Sequence, residues 1–145
     1  MSWSGAITVL KTHMAASGTA FAQRGGEPGV PATKTAAWYY TGSGDNPLIA
    51  ETLTDHAYAE NVDVRFYWPV ATRDAIPSEE LEHEVQDTTR DFIALLEADR
   101  SLGENVTDTA IGEATAGWLD LAGGAFRIVT IPLSLGFTDT EPIAR

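Results

Sequence analysis

No cysteine occurs among the 145 residues. That absence excludes disulfides, thiolate zinc sites and a cysteine nucleophile. No apolar run approaches the roughly 18 residues that a membrane span needs. The start, Met1-Ser2-Trp3-Ser4-Gly5, lacks the basic and apolar regions of a signal peptide. The expectation is a soluble protein with no membrane partner, used without export. Basic residues are also scarce. Only 9 Lys and Arg stand against 21 Asp and Glu, a net charge of −12. Residues 1–44 hold Lys11, Arg24 and Lys34 against Glu27, a balance of +2, so the rest of the chain carries −14. Such a surface repels phosphate backbones and argues against specific nucleic-acid binding. It suits plain solubility, a wall past which DNA slides without sticking, or a charge pattern that orders subunits.

Chemical motifs are equally sparse. Arg24-Gly25-Gly26 lacks the Gly-Lys-Ser/Thr end of a phosphate loop. No Gly-x-Ser-x-Gly elbow appears. His13, His56 and His83 lie far apart. His83 and Asp87 share a helix face at i,i+4, but two ligands make no closed metal site, so they read as a solvated face. With 21 acids, chance carboxylate pairs single out no general acid or base. Asn105-Val106-Thr107 matches a glycosylation sequon and, without a secretion signal, reads as chance. No catalytic residue, metal or cofactor is expected.

What is present is a regular α+β pattern. A chain of 145 residues with 43% hydrophobic content fits one domain with a full core. Ser2 or Ser4 caps a first helix running to about Ser17, with Gly18 as its stop. Ala6, Ile7, Leu10 and Met14 share one face, with Val9 alongside. Residues 22–31, rich in Gly and Pro, read as an exposed mobile loop. Thr33 to Thr41 reads as a strand carrying Trp38, Tyr39 and Tyr40. Residues 41–47 read as a second mobile connection, and Leu48 to Tyr58 as a short strand or irregular segment. Asn61 to Val70 alternates as a half-buried strand, with Pro69 ending it or lying near an edge.

The stretch from Ile76 to Leu135 is the most regular. Ser78 caps a long helix whose Glu79, Glu80 and Glu82 suit the positive helix end. Leu81, Val85, Thr88, Phe92, Leu95 and Leu96 form its apolar stripe. Arg100 lies near its other end, and Gly103 takes the left-handed cap. Val106 to Leu121 reads as a weakly hydrophobic strand, with Gly112 and Gly117 at bulges or a bend. A turn at Gly123-Gly124 leads to a closing strand in which Val129, Ile131, Leu133 and Leu135 face the core. Pro132 removes a ladder donor and belongs at an edge or a bulge. The expected fold is a single α+β domain over residues 1–145, ordered α-β-β-α-β-β, with a mostly antiparallel sheet packed against two helices.

Strand aromatics outnumber what one sheet face can take. Neighbouring residues point to opposite faces. Tyr39 and Tyr67 therefore face away from Trp38, Tyr40, Phe66 and Trp68, and one set needs helix cover or a partner.

Three segments carry a family resemblance. Phe66-Tyr67-Trp68-Pro69 precedes the long helix. Leu96-Glu97-Ala98-Asp99-Arg100-Ser101-Leu102-Gly103-Glu104-Asn105-Val106 forms the helix exit, with Glu104 where the pattern has a second glycine. Phe126-Arg127-Ile128-Val129-Thr130-Ile131-Pro132-Leu133 closes the chain. Over about residues 60–137 these resemble the tail terminators of tailed bacteriophages, a family also called tail completion or minor tail proteins. The resemblance implies a structural protein that forms a hexameric ring on the head-proximal end of a tail tube. Such a ring stops tube polymerisation and joins the tail to the head connector or head-closure protein. The implied partners are further copies of the chain, the tail tube protein and the connector, with DNA passing through the bore. The implied location is the head–tail junction of a virion assembled in the host cytoplasm. Candidate subunit or tube contacts are Arg24, Glu27, Trp38, Tyr39, Asp45, Asn46 and Tyr67. The alternatives are another neck component, a head-closure or adaptor protein, or a small α+β enzyme or ligand-binding domain with a pocket near His83 or His56.

Overall fold

The computed structural model describes residues 2–17, 22–25, 34–45, 56–70, 78–121 and 124–139. The elements are α1 (Trp3–Ala16), β1 (Ala22–Gly25), β2 (Thr35–Asp45), β3 (His56–Val70), α2 (Glu79–Ala98), β4 (Asp108–Ile111), β5 (Thr115–Leu121) and β6 (Gly124–Asp139). They form one sheet in the order β1-β2-β3-β6-β4, with β5 also paired to β6. Every pairing is antiparallel except β1 with β2. The α+β class, the two helices and the mostly antiparallel sheet are as expected. The element order differs in two places: β1 precedes the first expected pair, and the first strand of the second pair is two, β4 and β5. Among the described residues, no helix is long and apolar enough to cross a membrane.

Both helices start where a serine accepts a backbone N–H. Ser2 Oγ accepts from Gly5 N–H and Ser78 Oγ from Leu81 N–H, each at 3.1 Å. Both lay their apolar stripes on one face of the sheet. Ala6, Ile7, Leu10 and Met14 of α1 and Val85, Phe92 and Leu96 of α2 join Val62, Val64, Phe66, Trp68, Val129, Ile131, Leu133 and Leu135 in a single core. Leu81 packs against that core, whereas Leu95 is half-buried beside it. The opposite face holds a smaller buried cluster of Ala37, Tyr67 and Phe126, with Leu119 and Ile128 packed against it.

Three segments differ from the sequence expectation. The loop expected at 22–31 begins with β1, whose Ala22–Gly25 runs parallel to Thr35–Trp38. At a sheet margin the ladder satisfies backbone groups whatever the side chains, so Gly25 is tolerated. The connection expected at 41–47 is strand as far as Asp45, which pairs with Tyr58. A register shift between Tyr40 and Gly42, with Gly42 at φ +130°, bends β2 there without ending it. β3 correspondingly starts at His56, while most of the Leu48–Tyr58 segment lies outside the described residues, as do Glu27 and Asn46. Pro69 falls next to the end of β3, past Tyr67, the last residue that β2 pairs.

The expected strand from Val106 to Leu121 is two strands along the same edge of β6. Ile111 pairs with Leu133 and Thr115 with Thr130. Gly112, Glu113 and Ala114 thus oppose only Ile131 and Pro132, which makes a bulge. Gly112 N–H donates to the Pro132 carbonyl at 2.8 Å. The N–H that proline lacks would point the same way, into the break. On its other side Pro132 stays in register with Asp63 of β3. A methyl on Gly112 would lie 2.7 Å from Pro132 Cγ and 3.2 Å from its carbonyl oxygen. Gly112→Ala is expected to cost about 1–3 kcal/mol in urea unfolding. Gly117→Ala, with open space around the new methyl, should stay within about 0.5 kcal/mol.

The exit from α2 is a strained turn held from several sides. Leu102, Gly103 and Glu104 all have positive φ, at 46°, 67° and 67°. The left-handed conformation costs a non-glycine residue about 1–2 kcal/mol. It persists because Leu102 and Val106 are buried in the core, and because Asp99 Oδ1 accepts from Gly103 N–H at 3.0 Å and Ser101 Oγ from Glu104 N–H at 3.2 Å. His13 of α1 reaches the same Asp99, Nε2 to Oδ2 at 3.0 Å. The hydrogen bond from Gly103, then that from His13, holds the Asp99 carboxyl below its ordinary value of 3.8. The Arg100 guanidinium, bidentate at 2.9 and 3.0 Å, does the same to Asp108. Depressed carboxyls contribute stability above the ordinary value and lose it as pH falls through the folded one. Stability should therefore decline below about pH 4, and Asp99→Asn should flatten that decline in urea titrations at successive pH values.

Candidate functional site

A concavity lies where β3 begins and β6 ends, on the helix-bearing face. Alternation along β3 puts Tyr58 and Glu60 on the same side as the buried Val62 and Val64. Tyr58 pairs with Phe137 of β6 in the register, and Tyr40 of β2 pairs with Val62. The first turn of α1 then brings Trp3 onto this corner. The resulting pocket, about 460 Å³, is lined by Trp3, Trp38, Tyr40, Tyr58, Glu60 and Phe137. That volume falls within the usual range for ligand sites.

Trp3 is the hub of the wall. Its ring lies edge-on to Trp38 at 6.1 Å and to Tyr40 at 6.0 Å, and tilted against Phe137 at 6.3 Å. Tyr58 stacks on Phe137 at 5.5 Å with 15° between planes. Tyr40 forms the rim. At 50% exposure it is the most exposed large hydrophobic side chain among the described residues. The indole N–H of Trp38 is buried without an acceptor among the described residues, and a buried N–H left so costs about 1–3 kcal/mol. Glu60 is the one carboxylate among the described residues that line the pocket and makes no ion pair among the described residues. Aromatic faces beside a carboxylate form a surface that attracts organic cations.

The residues expected to form contacts do not converge. Trp38 lines the pocket. Tyr39 lies on the opposite sheet face, half-buried, with the Arg65 guanidinium 5.3 Å from its ring. Tyr67 is fully buried there, so as an interface residue it is corrected: its own chain already encloses it. Arg24 pairs through its backbone with Ala37, and Asp45 with Tyr58. Glu27 and Asn46 lie outside the described residues. His83 is exposed on α2, 3.5 Å from Glu79 in an i,i+4 pair, and His56 enters the ladder opposite Asp139. Trp3, Tyr58, Glu60 and Phe137 were not singled out by the sequence. They come from three separate elements, α1, β3 and β6, and the sheet register and the packing of α1 bring them together.

No family model matches the chain, and neither does any curated protein.

Proposed function

We propose that this chain is a structural virion protein, a tail terminator. In this reading it forms a ring, hexameric, on the head-proximal end of a phage tail tube at the head–tail junction. The ring stops tube polymerisation and receives the head connector. Its mechanism is geometric and involves no catalysis. One ring face copies the docking surface of a tube subunit; the other does not repeat it, so growth ends.

The observation that carries this reading is the pair of sheet edges. β1 lies at one margin of the sheet and β4 with β5 at the other, and among the described residues no further strand joins either. Open edges template association, and in a closed ring a neighbour covers each of them. The resemblance of the α2 exit and of β6 to the tail-terminator pattern supports the same reading. So does the net charge of −12, which keeps DNA from adhering to a bore. Sedimentation velocity of the purified chain tests the assembly, with a closed oligomer near six copies expected. A second reading, a small ligand-binding domain, is favoured by the aromatic pocket.

A further inference from the structure

We propose that the aromatic pocket is a socket for a basic side chain, arginine or lysine, presented by a protein partner. The lining selects the charge. Trp3, Trp38, Tyr40, Tyr58 and Phe137 line it with aromatic rings, and the quadrupole of such rings attracts a cation, with tryptophan the strongest. Glu60 stands among them without an ion pair to any described residue. An apolar occupant would strip water from that carboxylate and return nothing. An anion would meet both the carboxylate and a chain of net charge −12. A guanidinium or ammonium group satisfies the carboxylate, and its methylene stem lies along the rings.

The rim selects the source. Half of Tyr40 is exposed at the mouth. A small ion would leave it so, whereas a docked chain covers it, as aromatic side chains are covered in protein interfaces. The acidic surface also steers a basic partner towards the site. The ring reading would make that partner a tube or connector subunit, but the socket itself does not depend on it.

The test is a titration of the full chain, followed through the indole N–H signals of Trp3 and Trp38 by nuclear magnetic resonance. The probes are acetyl-Gly-Arg-Gly-amide, its lysine and norleucine counterparts, and choline. The basic peptides should shift both signals saturably and bind about tenfold more tightly than the norleucine peptide. Glu60→Gln should weaken the basic peptides about tenfold and leave the norleucine peptide unchanged. Tyr40→Ala, at the rim, should weaken them severalfold with an unaltered far-ultraviolet spectrum. Equal binding of the norleucine peptide, or no effect of Glu60→Gln, would overturn the proposal. Choline binding more tightly than either basic peptide would also overturn it, by assigning the pocket to a small cation. The titration needs neither ring nor tube, so its failure leaves the ring reading standing.

Discussion

Replacing Tyr67 by alanine is expected to remove about 3–5 kcal/mol of folding stability. Tyr67 has no exposed surface. Its ring meets Phe126 edge-on at 6.4 Å, and Arg65 Nη1 donates to its hydroxyl at 3.4 Å. Alanine leaves a ring-sized cavity beside two strands whose ladders resist collapse. Tyr67→Phe keeps the ring and should cost only about 0.5–1.5 kcal/mol. The contrast is Tyr40, half-exposed, whose loss forfeits one edge contact with Trp3 and about 1 kcal/mol. Urea unfolding followed by circular dichroism measures all three. If Tyr67→Ala changed stability by less than about 1 kcal/mol but altered oligomerisation, Tyr67 would be a contact residue, as the strand alternation suggested.

Phe92→Ala should cost a similar amount, about 3–5 kcal/mol, on the other face of the sheet. Phe92 lies in the buried stripe of α2 with Val85, Thr88 and Leu96. Its ring stands edge-on to Phe66 of β3 at 5.4 Å, so it fastens the helix to a central strand. Against a total stability of about 5–15 kcal/mol for a domain, the loss is a large fraction. Thermal unfolding should shift down by about 10 °C. The denaturant slope should stay constant, because the surface exposed on unfolding hardly changes. A shift of less than about 3 °C would mean that α2 is not held to the sheet through this ring.

The parts of the fold legible in the sequence are those set by local chemistry. Ser2 and Ser78 announce helices because a hydroxyl in that place captures an orphan N–H. Val62, Val64, Phe66 and Trp68 announce β3 because period two is the geometry of a strand. Pro132 announces a break in one ladder because it has no donor, and the break is there, between β4 and β5. Glu104 stands where the resemblance puts a glycine, and its φ of 67° is the conformation a glycine would take without strain. What stayed hidden depends on partners remote in sequence. Ala22–Gly25 is a strand because Thr35–Trp38 lies beside it, whatever its glycine suggests. Alternation told which face Tyr67 occupies but not that this face is closed over it. The pocket is the extreme case. Trp3 and Phe137 are 6.3 Å apart in space and at opposite ends of the chain, and no local pattern links them. His13 and Asp99 meet for the same reason.

The central claim is that this chain ends a polymer by forming a ring on it. Negative-stain imaging of the purified chain mixed with tail tubes tests this most directly, read alongside its sedimentation in the same mixture. A ring seated on one end of each tube, and on that end only, is the predicted result. Undecorated tubes beside a chain that sediments strictly as a monomer would contradict it.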